Sequence, residues 1–100
     1  MKQFKTYQLA IKFYRLSATL NLCSDAKDQF SRASRSIVLN LAEGRGRVSR
    51  KDQVRFYSIA MGSLRECQAL LSLEQLEDTA CWKALDETGA ALYSLIKRAA

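Results

Sequence analysis

The chain has 100 residues, of which 48% are hydrophobic and 26% charged, so it predicts one globular domain over residues 1–100 and leaves no room for a second. Histidine is absent and the three cysteines have neither C-x-x-C nor zinc spacing, which excludes histidine-based catalytic arrangements and predicts no metal or cofactor. The formal net charge of +6 favours an anionic partner such as nucleic acid.

No segment of the chain looks like a secretory signal or a membrane span. The opening stretch MKQFKTYQLAIKFYRL carries lysine or arginine every few positions, and no later apolar run approaches the length of a bilayer. Both kinds of segment require an uninterrupted apolar stretch. We therefore predict a cytoplasmic protein that makes no use of a membrane.

The first predicted helix has two apolar stripes running side by side at helical spacing. Five large side chains on these stripes are Phe4, Tyr7, Leu9, Phe13 and Leu20. Together they exceed what one face of a bundle needs to bury. An apolar surplus of this size usually marks an interface, so we expect some of these side chains at contacts between copies of the chain.

The second and third helices are predicted from periodicity and from their end signals. Helix 2 runs from about Ala26 to Glu43, and Gly44 is placed to end it as a left-handed residue. Helix 3 opens with Ser49 and Asp52, an S-x-x-D capping pattern. Gly62 in the middle of helix 3, followed by Ser63, costs stability unless another backbone comes close there, so tight helix packing is expected at that point.

The fourth helix is predicted to start near Asp78 or Thr79 as its cap. Four helices joined by short connections predict an all-α fold, an antiparallel up-down-up-down four-helix bundle. The side chains expected in its core are Ile37, Leu41, Met61, Leu64, Trp82, Leu85 and Leu92.

Charge is unevenly distributed along such a bundle. The loop between helices 2 and 3 would share one end with both termini, and nine basic residues would gather there against Glu43 and Asp52, giving +7, while the opposite end would be −5. The candidate nucleic-acid-binding residues are therefore Arg45, Arg47, Arg50, Lys51, Arg55, Lys2, Lys5, Lys97 and Arg98.

The loop cations at the start of helix 3 are unfavourable for stability alone. Positive charge there opposes the helix dipole, at a cost of about 0.3 to 1 kcal/mol for each side chain. Free N–H groups and guanidinium groups at one point would instead form a phosphate cradle. The alternative is a solvated turn whose arginines pair with Glu43, Asp52 or a neighbouring subunit.

The stretch QFSRASRSIVLNLAEGRGRVSRKDQVRFYSIAMGSLRE resembles the four-helix bundle proteins encoded in intervening sequences of bacterial 23S rRNA genes. Their pattern reads approximately Q-x-x-R-A-x-x-S-I-x-x-N-I-A-E-G-x-G-R, a short basic run, then F-x-x-x-A-x-G-S-x-x-E. The matching residues are Gln29, Arg32, Ala33, Ser36, Ile37, Asn40, Ala42, Glu43, Gly44, Gly46, Arg47, Phe56, Ala60, Gly62, Ser63 and Glu66. Val38 departs from the pattern, because the family often has proline there.

The resemblance implies a bundle that tends to assemble into pentameric rings. The chain is also similar to the accessory variability determinant of diversity-generating retroelements, a basic ring-forming bundle that associates with a reverse transcriptase and nucleic acid. For the intervening-sequence proteins themselves, the family supplies no agreed activity.

Two functions remain open at this point, and neither is enzymatic. The first is a homopentameric ring that binds structured RNA or another nucleic acid through its basic end. The second is a protein–protein interaction scaffold that binds no nucleic acid. Tyr7 and Tyr57 are candidates for stacking on an unpaired base, although their positions on apolar seams favour the core.

Overall fold

The computed structural model describes residues 4–100, and every regular element within them is an α-helix. The elements are α1 (Lys5–Ser17), α2 (Ser24–Arg45), α3 (Arg50–Leu73) and α4 (Ala80–Ala99). This confirms the all-α prediction, and α2 extends two residues beyond each predicted end. Val38 lies within this continuous helix.

The helices pack around a central core in the order of the chain. Each helix packs against its neighbours in sequence and α1 also packs against α4, whereas within the described part the diagonal pairs do not pack on each other. The assembly of helices measures 40 × 21 × 19 Å. Each helix therefore turns an apolar face toward two others.

The predicted core is confirmed for five of its seven residues. Ile37, Leu41, Leu64, Leu85 and Leu92 are all buried, and burial of side chains of this size stabilises a fold by about 1.5–3 kcal/mol each. The other two, Met61 and Trp82, are only partly buried and pack against the edge of the core.

The predicted caps of the last two helices are present. The backbone N–H of Asp52 donates to Ser49 Oγ over 3.1 Å, at the start of α3. The N–H of Trp82 donates to Thr79 Oγ1 over the same distance of 3.1 Å, so Thr79 rather than Asp78 caps α4.

The prediction for Gly44 is wrong, and its surroundings explain why glycine stands there. α2 continues through Gly44 to Arg45, and none of the glycines in the chain has a positive φ angle. A Cβ atom on Gly44 would lie 2.7 Å from Tyr57 Cε1 and 3.1 Å from Phe56 Cβ. Gly44 therefore permits a close approach of α2 and α3 and does not end the helix.

The expected close packing at Gly62 is also not observed. A Cβ atom on Gly62 would meet nothing within 4 Å, so no other backbone approaches it. Its neighbour Ser63 does connect two helices, since its hydroxyl donates to Ser36 Oγ over 2.7 Å. Of these two glycines, only Gly44 lies close to the facing helix.

Most of the apolar side chains of α1 that were expected at contacts between copies pack inside the bundle instead. Phe4 and Phe13 are buried, and the Phe13 ring packs edge-on against Phe30 at 5.8 Å between centroids. Because α1 packs against both α2 and α4, it buries a wider face than one contact would need. The exposed large apolar side chains are Tyr14, Leu39, Val48, Ile59, Leu73 and Tyr93.

Within residues 4–100, no helix combines the length and the apolar character needed to cross a membrane. Lys2, one of the predicted site residues, lies outside the described residues.

Candidate nucleic-acid interface

The loop between α2 and α3 is held by backbone hydrogen bonds on the α2 side and by a side-chain-to-backbone hydrogen bond from α3. After α2 ends at Arg45, the N–H of Gly46 donates to the carbonyl oxygens of Ala42 and Glu43 over 3.3 and 3.2 Å. From the α3 side, Gln53 Nε2 donates to the Arg47 carbonyl oxygen over 3.0 Å. These bonds fix the positions from which the loop arginines project.

Two guanidinium groups of the site stack on one aromatic ring. The Cζ atoms of Arg47 and Arg55 lie 4.7 and 4.4 Å from the centroid of the Phe56 ring. Each such contact stabilises by about 0.5–1 kcal/mol at an exposed site. The ring therefore holds two like charges near each other at the N-terminal end of α3.

A third arginine connects the loop to the beginning of the chain. The Cζ atom of Arg45 lies 4.7 Å from the centroid of Phe4, whose ring is in turn 6.5 Å from that of Tyr57. Burial raises the pKa of Tyr57, and the charge of Arg45 opposes that shift only in part. Tyr57 is thus a buried neutral phenol packed beneath the site, and it is not open to stacking with a base.

Two carboxylates pair with loop cations, as the solvated-turn alternative anticipates. Arg47 Nη2 donates to Glu43 Oε2 over 2.5 Å, and Arg55 Nε lies 3.9 Å from Asp52 Oδ1. Exposed ion pairs of this kind stabilise a fold by about 0–1 kcal/mol. Arg45, Arg50 and Lys51 lie at the helix ends on either side of the loop, and within residues 4–100 no carboxylate pairs with them. These three, together with Arg47 and Arg55, are called the loop cations.

The other predicted site residues make no described contact with the loop. Lys97 lies 5.7 Å from the ring centroid of Tyr93, and Arg98 Nη1 donates to Ser94 Oγ over 3.0 Å, both within α4. Lys5 is exposed at the first position of α1. The contacts therefore join Arg47 and Arg55 on the ring of Phe56 and place Arg45 on a different ring, that of Phe4. Lys5, Lys97 and Arg98 stay apart from both.

Sequence reasoning missed the aromatic supports of the site. In the sequence, Phe4 belongs to an apolar stripe and Phe56 to the residues that match the family pattern, yet each ring also carries an arginine. The signal in the sequence was the pair Arg55-Phe56 beside a basic loop, because a half-buried aromatic ring next to arginines favours guanidinium stacking.

Two of the three cysteines, Cys67 and Cys81, are buried thiols, whereas Cys23 is exposed. Burial raises the pKa of Cys67 to about 12, with smaller contributions from Glu66 and Cys81, and burial raises the pKa of Cys81 to about 11. Both are neutral thiols near pH 7, and a neutral thiol is a poor nucleophile. Among residues 4–100, no group of three cysteine, aspartate or glutamate side chains is placed to hold a metal ion.

Comparison with known proteins identifies one family. The model of the family described as 23S rRNA-intervening sequence protein matches residues 3–98 of the chain. Searches of curated proteins and of solved structures found no match.

Proposed function

Since the chain belongs to the 23S rRNA-intervening sequence protein family, we propose that it is a nonenzymatic protein that binds RNA phosphates through the loop between α2 and α3. The observation that carries this proposal is the pair of guanidinium groups stacked on Phe56, beside three loop cations that form no ion pair with a carboxylate of residues 4–100. The family name, which refers to ribosomal RNA, is compatible with such a partner.

The paired arginines of the site can exchange their carboxylate partners for phosphate groups. The pairs of Arg47 with Glu43 and of Arg55 with Asp52 are exposed, so their net free energy is small. A phosphate group accepts two parallel hydrogen bonds from a guanidinium group. It also remains negatively charged near neutral pH. Stacking on Phe56 leaves the planar forks in place during this exchange.

The first turn of α3 adds hydrogen-bond donors to the same point. The first N–H groups of a helix have no partner within the helix. Ser49 accepts from the N–H of Asp52, which leaves the N–H groups of Arg50 and Lys51 for water or an anion. Backbone donors and exposed cations thus act together on a phosphate group.

We further propose that the bundle is antiparallel and assembles as a cytoplasmic ring, with a pentamer as the favoured form. The contacts of Phe4 with Arg45 and Tyr57 support the antiparallel arrangement, because they join the start of α1, the end of α2 and the start of α3. A ring would present several basic loops on one face, so that weak contacts add through effective concentration. The similarity to the accessory variability determinant, a ring-forming bundle, supports this part of the proposal.

The test replaces two loop cations that have no acidic partner. Arg50→Gln combined with Lys51→Gln should weaken binding of a labelled RNA hairpin and lower the salt slope by about 0.7–0.9 for each phosphate that the loop no longer neutralises. Fluorescence anisotropy over a series of salt concentrations measures both quantities. Light scattering should give the parental mass, because neither side chain is buried.

A double variant of equal charge provides the control. Arg65→Gln combined with Lys83→Gln removes two exposed cations outside the loop and should bind the hairpin nearly as well as the parent. Equal affinities of the two double variants would contradict the proposal and show that the loop is only a charged turn.

The scaffold alternative has one observation in its favour. Leu39 and Leu73 are 60% and 77% exposed, and large exposed apolar side chains mark a protein-binding surface where they form a patch. A protein that binds no RNA at low salt, yet assembles into a ring, would be such a scaffold.

A further inference from the structure

A shallow trough runs along α1 and α2, apart from the loop. Its central depression is lined by Ile11, Tyr14, Arg35, Val38 and Leu39. This depression shares Tyr14 with one neighbouring depression, Ile11 with a second, and both Arg35 and Leu39 with a third. The four depressions therefore lie beside one another along α1 and α2, and we call the surface that they line the α1–α2 trough.

All the charged side chains that line the α1–α2 trough are cations. They are Lys12, Arg15, Lys27, Arg32 and Arg35. Among residues 4–100, none of the five has a carboxylate in an ion pair. α1 and positions 29–42 of α2 contain no acidic residue, whereas Asp25 and Asp28 flank Lys27 at the beginning of α2. The middle of the trough therefore has an excess of positive charge, which attracts a polyanion.

The trough also contains an exposed aromatic ring at its centre. Tyr14 is 37% exposed, and no ring or cation of the described residues stacks on it. Tyr93 is exposed as well, but Lys97 covers its ring. Tyr7, one of the two tyrosines considered from the sequence, is partly buried and stacks on Phe4 at 6.0 Å.

A positive groove with an open aromatic ring and apolar walls fits an unpaired nucleotide. Base stacking on an aromatic side chain stabilises a complex by about 1–3 kcal/mol per base. The bases of an RNA duplex are stacked inside it, so a duplex offers such a surface mainly phosphates and 2′-hydroxyl groups. The combination of charge and ring therefore favours single-stranded RNA over a duplex.

We propose that the α1–α2 trough binds an unpaired segment of RNA, with one base stacked on Tyr14 and the adjacent phosphates on Arg35 and Arg32. This inference rests on the proposed function for its class of partner and uses different residues. Arg35 lies ten positions before Arg45 on α2, which corresponds to roughly 15 Å of helix. A single RNA strand is long enough to contact the loop and the trough together.

The test compares two tyrosine variants on two RNA probes, a labelled oligouridylate and a blunt duplex of equal length. Tyr14→Ala should weaken binding of the oligouridylate by about fivefold or more, as expected for the loss of one stacked base. Duplex affinity and the salt slope for the oligouridylate should stay at parental values, because tyrosine carries no charge. Tyr14→Trp should retain the affinity, and Tyr93→Ala is the matched control that should leave both probes unaffected.

A second variant addresses the charge of the trough while the ring stays in place. Arg35→Gln should lower the salt slope for the oligouridylate by about 0.7, the value for one contact with a single strand. This variant keeps the proposal testable even if Tyr14→Ala unfolds.

Three results would overturn the inference. The first is parental affinity of Tyr14→Ala for the oligouridylate, and the second is equal weakening on both probes. The third is a smaller assembly of Tyr14→Ala in light scattering without RNA, which would make the trough a contact between copies. The loop variant distinguishes the two proposals, since replacement of the loop cations should weaken binding of both probes.

Discussion

Two glycines on neighbouring helices have opposite surroundings. A Cβ atom on Gly44 would lie 2.7 and 2.9 Å from the Tyr57 ring, which is itself buried, whereas one on Gly62 would lie in open space. Alanine is the better helix former at both positions by about 1 kcal/mol. The packing around each glycine therefore decides whether substitution by alanine stabilises or destabilises the fold.

Gly44→Ala should destabilise the fold by about 1–3 kcal/mol, because the added methyl group must displace the ring of Tyr57 or separate α2 from α3. Gly62→Ala should stabilise it by about 0.5–1 kcal/mol. Urea unfolding followed by circular dichroism measures both values. A stabilised Gly44→Ala variant would show that the helices do not approach as closely as the structure describes.

The two buried thiols predict a loss of stability at alkaline pH. Burial raises the pKa values of Cys67 and Cys81 to about 12 and about 11, from 9.0. The folded state thus favours the neutral thiol, which adds to the free energy of unfolding. This stabilisation is complete below pH 9 and is lost as the pH rises toward the folded pKa values. Near pH 10.5 each thiol should have removed about 2 kcal/mol of stability.

Urea unfolding at pH 8 and near pH 10.5 tests this expectation. The parental protein should become less stable between the two pH values by a larger amount than the double variant Cys67→Ala, Cys81→Ala, although the variant is less stable throughout. Each single variant should remove about half of the extra loss of stability that the parent shows between the two pH values. Parallel declines for parent and double variant would contradict the assignment.

At the scale of single elements, the N-terminus of α3 serves both stability and charge. Ser49 caps the helix, and the next two residues, Arg50 and Lys51, are exposed cations. These cations oppose the helix dipole. A negative charge at the cap position should therefore improve stability and impair anion binding at the same time.

Ser49→Asp should preserve the cap and stabilise the protein by a few tenths of a kcal/mol, up to about 1 kcal/mol. It should nevertheless weaken RNA binding, because the carboxylate repels phosphate. Ser49→Ala should cost about 1 kcal/mol because the cap is removed, as should Thr79→Ala on α4. Thermal unfolding and anisotropy on the same four proteins separate the two effects, and a Ser49→Asp variant with parental affinity would argue against phosphate binding at this turn.

The elements also show how far the sequence can be interpreted. The caps at Ser49 and Thr79 were predictable because a side chain and an N–H three residues later form a local hydrogen bond. The buried faces follow from apolar periodicity. The pair Arg55-Phe56 indicates that an arginine can stack on this ring, but the role of Gly44 and the stacking of Arg47 on Phe56 depend on how two segments approach in space.

At the scale of the whole molecule, exposed apolar side chains are the structural argument for assembly. Ile59 and Leu73 are 43% and 77% exposed. They lie fourteen positions apart on α3, close to four full turns, so both project from the same outer face. Gly62 and Ala69 on this face are exposed and small, and the exposed Glu66 lies between them. Another helix could approach over the small residues provided that it paired with this carboxylate. This face, rather than the buried stripe of α1, is where we expect contacts between copies.

Ile59→Glu combined with Leu73→Glu should convert a ring into monomers at micromolar concentration, because each contact would then bury two carboxylates without partners. Helical content should stay parental, since neither side chain belongs to the core. Val48→Glu, a change at a fully exposed loop position, should leave the mass unchanged and serves as the control in light scattering.

The monomeric double variant should also bind RNA more weakly than the parent although its basic loop is intact, because it no longer has the effective concentration of several loops on one face. A parental mass for the double variant would exclude this face of α3 from the contact, and a monomeric parent would remove the ring altogether.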